Sequence, residues 1–243
     1  MVSNKRSYLT LATAVLVGLA GIVSISCADG GREFIDPAVV VVERVIAPPP
    51  PAGSAAERAE LDEMLRIQIQ RTPAQAERAK GDADTSIFRF ADAIGSPPGF
   101  EEGKLPRFAA LFTKIRRAET AVIGPAKDHY ARPRPYVTEP KLDPAIARPG
   151  SFAYPSGHAA WAFAVGFVLA DMLPEKRAEI LARAGEFAHN RVVGGVHYPS
   201  DVDAGRVAGS VLAAFLFASP EFRAEERLAS AELRAALKFP PPH

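Results

Sequence analysis

The chain has 243 residues, 48% of them hydrophobic and 23% charged, with a formal net charge of +1. That is enough apolar material for one packed domain with a sizeable core. A charge so close to zero excludes the basic footprint of a nucleic-acid binder and any strong electrostatic attraction to a membrane surface, so no nucleic-acid partner is expected.

Residues 1–27 read as an export signal. Lys5 and Arg6 form a positive start, Leu9 to Ile25 is an apolar run, and the small residues Ser24 and Ser26 precede Cys27. A retained anchor is the competing reading, because the run is of marginal length for a bilayer span; the small residues that follow favour cleavage. Cleavage would remove Lys5 and Arg6 and bring the net charge to about −1. Cys27 is the one cysteine. Two readings of it stay open: the lipid-modified first residue of a bacterial lipoprotein, or a bystander beside an ordinary cleavage point. Either way residues 28–243 hold no disulfide and no thiolate metal site.

Residues 28–54 have the composition of a tether, with Pro48–Pro51 followed by Gly53 and Ser54. The domain is expected over residues 55–243. From Ala55 the pattern becomes helical, with Leu61, Met64, Leu65 and Ile69 recurring every three or four residues. Thr72-Pro73-Ala74-Gln75 starts a second helix, with Thr72 as N-cap and Gln75 in the capping-box position, and the pattern runs to Ala93. A third helix is predicted over 106–127. The proline-rich stretch 131–155 reads as loop. Further helices are predicted over 156–172, 175–192, 199–217 and 220–238. No strand alternation and no internal repeat is visible. The fold class is therefore all-α, a single multi-helix domain after an N-terminal signal and a Pro-rich spacer.

Three segments carry chemistry. Pro155-Ser156-Gly157-His158 opens an apolar helical run. Ser156 can cap it, the first N–H groups and the helix dipole favour an anion, and Gly157 lets an oxyanion approach the backbone. The bland alternative is a capped helix with a surface histidine. In His197-Tyr198-Pro199-Ser200-Asp201, a carboxylate four residues after a histidine can hold one imidazole nitrogen and leave the other free as a nucleophile. The alternative is an aspartate that only caps a helix. Lys127, Arg132, Arg134 and Arg191 supply cations, and arginine's planar fork suits phosphate. Lys176, Arg177 and Arg183 read as a solvated face. Trp161 reads as core or pocket wall, and His129 and His189 as structural or surface residues.

Taken together, Lys127-x6-Arg134-Pro135, Pro155-Ser156-Gly157-His158 and Arg191-x5-His197-x3-Asp201 resemble the signature of the type 2 phosphatidic acid phosphatase superfamily. The stretch from Thr72 to Lys127, with Gly195 to Asp201, looks like the soluble bacterial class A non-specific acid phosphatases. The resemblance implies an exported phosphoric-monoester hydrolase acting through a phosphohistidine, with no metal or other cofactor and small phosphomonoesters as substrates. It implies that His197 attacks phosphorus, Asp201 orients it, and His158 protonates the leaving alcohol and later activates water. It assigns Lys127, Arg134, Ser156, Gly157 and Arg191 to the phosphoryl oxygens. One position departs: where the signature has serine before the second arginine, this chain has Asn190. Relatives of this kind are commonly dimers, so a homodimer is an expectation of the resemblance alone. The expected location is periplasmic or secreted, with an outer-membrane lipoprotein if Cys27 is lipidated; that lipid would be the only membrane attachment. Two other readings share the motifs: an integral lipid-phosphate phosphatase and a vanadium haloperoxidase. The mature chain's longest apolar stretch, 159–173, is shorter than a bilayer span and contains Asp171, which disfavours the first. The short chain disfavours the second. A catalytically dead binding lipoprotein is disfavoured by the intact His158, His197 and Asp201.

Overall fold

The apolar run behind Ser156 dictates the middle of the molecule. In the computed structural model, which describes residues 34–240, this run is a helix that is buried nearly all round, as a helix without a polar face must be. Eight α-helices are described: α1 (Ala55–Gln70), α2 (Pro73–Gly81), α3 (Pro106–Tyr130), α4 (Pro135–Thr138), α5 (Gly157–Met172), α6 (Arg177–Val193), α7 (Pro199–Ala218) and α8 (Pro220–Leu237). Short 3-10 turns join some of them, and no strand occurs among the described residues. Helix α5 is the hub; α3, α6, α7 and α8 all pack on it. Trp161 on α5 is 1% exposed and belongs to this core.

Capping chemistry fixes the starts. Ser54 accepts from the Glu57 N–H ahead of α1. Thr72 and Gln75 form the expected capping box at α2. Ser156 accepts from the Ala159 N–H at 3.3 Å, so α5 begins where its sequence places it. The proline-rich stretch is loop apart from the four-residue α4.

The α5–α7 contact is unusually close because small residues line it. A Cβ built on Gly205 would stand 2.4 Å from the Ser156 carbonyl oxygen, and one on Gly209 would stand 2.2 Å from that of Ala160. The two helix starts are thereby drawn together, and the Ser156 N–H donates to the Asp201 carbonyl at 2.9 Å. This hydrogen bond joins two of the three motifs.

Several sequence expectations are corrected. The helix expected to run to Ala93 stops at Gly81, and a 3-10 turn over Ile87–Ile94 replaces its second half. At the break stands Asp82, which is fully buried and takes hydrogen bonds from Arg183 (2.9 Å) and Asn190 (2.7 Å) on α6. Beyond it, Ile87 and Phe90 of the 3-10 turn are buried in the main core. Arg183, read as part of a solvated face, is 4% exposed. Residues 34–54 are not a free tether: Phe34, Val40, Val42 and Ile46 are buried in the main core, and Phe34 packs edge-on against Phe222 of α8 at 5.3 Å. The Ala47 carbonyl accepts from the Tyr154 hydroxyl. On α1, Leu61 and Met64 are buried as expected, while Ile69 is 82% exposed. His129 and His189 are exposed. The signal reading of residues 1–27, with Cys27, lies outside the described residues.

The helix contact makes a direct test. Gly209→Ala should lower stability by about 1–3 kcal/mol, because backbone rather than a flexible side chain blocks the added methyl. Gly185→Ala on α6, where nothing lies within 4 Å, should be neutral or stabilising by about 0.5–1 kcal/mol. Urea unfolding midpoints of the two variants check the contrast.

Candidate active site

A cavity of about 460 Å³ opens beside the start of α5. Its wall includes Lys127 from α3, Arg134 from the following loop, Gly157 and His158 from α5, Arg191 from α6 and His197 from the α6–α7 connection. Ser156 and Asp201 lie immediately behind it, both fully buried. The residues that the sequence marks for catalysis and phosphate binding thus converge on one place, from four helices and the two connections between them.

His197 is 2% exposed. Its Nδ1 lies 3.1 Å from Asp201 Oδ2, so Nδ1–H donates to the carboxylate and Nε2 carries the lone pair. Nε2 is 2.7 Å from Arg134 Nη1. Burial, then the positive charge of Arg134, Lys127 and Arg191, holds the imidazole well below its ordinary pKa, so the ring is neutral. A neutral, correctly tautomerised imidazole is the form a nucleophile needs.

Asp201 is held from three sides. Its Oδ2 also accepts from the Tyr198 N–H at 2.9 Å, and its Oδ1 accepts from Arg132 Nη1 at 2.6 Å. Burial pushes its carboxyl up to about 6 against the pull of Arg132. Arg132 in turn bonds Glu60 on α1 at 2.9 Å, bonds the Ser200 hydroxyl at 2.8 Å, and lies 3.6 Å over the Tyr198 ring. Among the sequence's phosphate-facing cations, Arg132 therefore has a different duty: it backs Asp201 from the side away from the cavity. Sequence reading marked it as a cation but had no signal for its partner, and missed Glu60 altogether.

The other cations differ in what they offer. Arg134 is anchored to the Ser151 carbonyl (2.8 Å) and the Val196 carbonyl (2.8 Å), with one Nη1 edge reaching His197. Lys127 bonds the carbonyls of Phe152 (2.8 Å), Ala153 (3.3 Å) and Pro155 (2.8 Å), which occupies the hydrogens of an ammonium group. It pins the loop ahead of α5 and lends charge; burial lowers it to about 7. Arg191 is 2% exposed, and its Nε and Nη1 have no acceptor among the described residues. Buried donors of this kind are costly unless something accepts from them.

His158 places Nε2 3.1 Å from the Ala83 carbonyl, so Nε2–H donates there and Nδ1 is the nitrogen left to gain and lose a proton. Burial, then Arg191, lowers it to about 3. An anion between His158 and the arginines would raise it again. Asn190, the departure from the signature, does not face the cavity at all: its amide donates to Asp82. Since Ala83 follows Asp82, Asn190 fastens the segment whose carbonyl orients His158. No group of three or more His, Cys, Asp or Glu side chains placed to hold a metal ion occurs among the described residues.

A sequence model described as the PAP2 superfamily matches residues 109–225. A non-specific acid phosphatase of Providencia stuartii is 33% identical over 174 residues, covering 68% of this chain and 69% of that protein. The chain belongs to the PAP2 superfamily. An acid phosphatase of Zymomonas mobilis is 36% identical over 140 residues, and the match spans 52% of that protein. A non-specific acid phosphatase of Salmonella typhimurium is 39% identical over 104 residues, 41% of its length. The matches thus span from under half to about two thirds of these relatives. Two solved structures share the PAP2 fold at low identity. One is a bacterial vanadium-dependent iodoperoxidase, with a TM-score of 0.54 and 18% identity, covering 70% of this chain and 51% of that one. The other is a transmembrane PAP2-type phosphatidylglycerolphosphate phosphatase from Bacillus subtilis, with a TM-score of 0.51 and 20% identity, covering 72% and 89%. Among the described residues of this PAP2 chain, no single helix is long and apolar enough to cross a membrane; α7 and α8 meet such a criterion only as a pair bent by 92°.

Removing Arg132 leaves Asp201 buried without its counter-ion. Arg132→Ala should cost about 3–5 kcal/mol of stability, far more than removal of an exposed ion pair. Glu60→Gln, which keeps a hydrogen-bond acceptor for Arg132, should cost less. Chemical denaturation of both variants measures the difference.

Proposed function

We propose that this chain is a phosphoric-monoester hydrolase, a non-specific acid phosphatase that works through a covalent phosphohistidine and without a metal. The observation that carries the reading is the pairing of an Asp201-held His197, with Nε2 directed at the cavity's cations, and Arg191 donors that have no acceptor among the described residues. An oxyanion is what such a pair lacks. The names of the curated relatives support the activity.

The chemistry runs in two displacements. A phosphoryl group lies against Arg191, Arg134 and the start of α5, with Lys127 adding charge. One phosphoryl oxygen takes over Arg134 Nη1, which frees the His197 Nε2 lone pair. Nε2 then forms a bond to phosphorus as the ester P–O bond breaks. His158, protonated under the influence of the bound anion, gives its proton to the departing alkoxide. The cationic phosphohistidine is stabilised by Asp201. Water then attacks phosphorus while His158 takes a proton from it, the P–N bond breaks, and phosphate and neutral His197 are released. Fixed positive donors around the transferring group supply most of the rate. Small phosphomonoesters fit a cavity of this size. We place the enzyme outside the cytoplasm, on the strength of the export-signal pattern over residues 1–27, with Cys27 as a candidate for lipid attachment.

Hydrolysis of p-nitrophenyl phosphate should continue in EDTA; loss of all activity on chelation would show that a metal is needed. His197→Ala should abolish turnover, and no phosphoenzyme should survive alkaline quenching in that variant. Near-normal rates in it would overturn the assignment of the nucleophile. Arg191→Met should lower kcat by about 10²–10³-fold, the usual loss for one oxyanion donor. For the location, the full chain expressed in a Gram-negative host should fractionate with the periplasm or outer membrane. Label from radioactive palmitate that disappears in Cys27→Ser identifies a lipid anchor; export without label identifies a soluble form, and cytoplasmic retention rejects export.

A further inference from the structure

The phosphate reading leaves one buried carboxyl group in the cavity wall without a duty. Glu119, on α3, is 1% exposed over the whole residue and yet lies in the wall among the cations. A carboxylate there opposes the anion that the rest of the wall attracts. Its two oxygens are used differently. Oε2 is engaged by Arg116 and lies 3.4 Å from the Thr120 hydroxyl. Oε1 faces the start of α5: a Cβ built on Gly157 would stand 2.9 Å from it. Oε1 thus borders the place where the α5 dipole and Gly157 receive an anion.

Charged and titratable groups from each neighbouring element share the cavity wall with Glu119. Arg116, Lys127 and Asp128 come from α3, Arg134 from the loop after it, His158 from α5, Arg191 from α6, and His197 from the α6–α7 connection. Burial outweighs Arg116 and Lys127 and pushes the Glu119 carboxyl up to about 7. Both protonation states are therefore within reach in the working range.

Resting on the phosphate-site reading above, we propose that Glu119 is a proton-dependent member of the phosphoryl site. Protonated, it offers an O–H from Oε1 to a phosphoryl oxygen. Ionised, it is itself an anion at the start of α5 and repels the ligand. Binding of a phosphoryl group therefore takes up a proton at Glu119, and affinity falls as pH rises through its titration. The residue makes the site prefer acid conditions by a route separate from the proton on His158.

Sulfate is a suitable probe because it stays a dianion across the range. Its dissociation constant is measured by calorimetry on the wild-type chain and on Glu119→Gln, which keeps the shape and a donor but cannot ionise. The two should bind alike at pH 5.5. At pH 8 the wild type should be weaker than the variant by roughly tenfold, since a linked proton costs up to a factor of ten per pH unit. Lys127, lowered to about 7, also titrates in this window; loss of the Glu119 charge in the variant lowers it further, which weakens the variant at pH 8 and so works against the expected difference rather than producing it. Parallel pH curves, or a variant weaker at both pH values, overturn the proposal. A second measurement needs no variant: infrared difference spectra of the wild type at pH 7 should gain a carboxylic-acid C=O band when sulfate binds, and no band overturns it. Failure of the wild type to bind sulfate at any pH overturns the phosphate-site reading and the proposal with it.

Discussion

The close approach of α5 and α7 is the constraint on which the site depends. Gly205 and Gly209 let the α7 backbone lie against the carbonyls of Ser156 and Ala160. No side chain larger than hydrogen fits there without moving main chain. The contact brings the capped start of α5 to the capped start of α7, and the Ser156–Asp201 backbone hydrogen bond closes the join. A helix start that receives anions and a histidine–aspartate pair thereby share one cavity. Helices packed at ordinary distances would separate them by several ångströms, enough to spoil in-line attack.

Charge is the second constraint. Arg134, Arg191 and Lys127 crowd one cavity wall, and the cost of that crowding shows in their neighbours and in themselves. Lys127 and Arg191 are lowered to about 7 and about 10, and both histidines are held neutral. The protein offsets the surplus partly from behind, with Asp201 and with Glu60 through Arg132. The rest of the balance falls to an anionic ligand. A site built this way suits an anion because positive charge is left unsatisfied among the described residues, and Glu119 is the carboxylate within the same wall.

Rigidity reaches the site through buried polar links of long sequence separation. Lys127 ties α3 to the carbonyls ahead of α5, and Asp82 ties the end of α2 to Arg183 and Asn190 on α6. The second link explains how a chain with asparagine at the signature's serine position can still fix His158. The asparagine acts on the Ala83 carbonyl through Asp82.

Helix starts, the buried character of α5 and the identity of the motif residues were legible in the amino-acid sequence, because capping, periodicity and spacing are local physics. Ser54, Thr72 and Ser156 each cap the helix that their neighbours specify. Other features were not legible, and they share a cause. Arg132 is indistinguishable in sequence from a phosphate-binding arginine until Asp201 is seen on its far side. Arg183 looks solvated until Asp82 leaves α2 to meet it. Residues 34–54 read as spacer, since four scattered apolar residues show no period, and only the groove beside α3 and α8 turns Phe34 and Val42 into core. Glu119 reads as an ordinary helix carboxylate until α5 closes over it. The sequence by itself determined where most of the helices start and which motif residues are candidates for the chemistry. The partner of each buried charge was decided by tertiary packing, because that partner lies some 70 or more residues away for Arg132 and about a hundred for Arg183, and no local rule reaches that far.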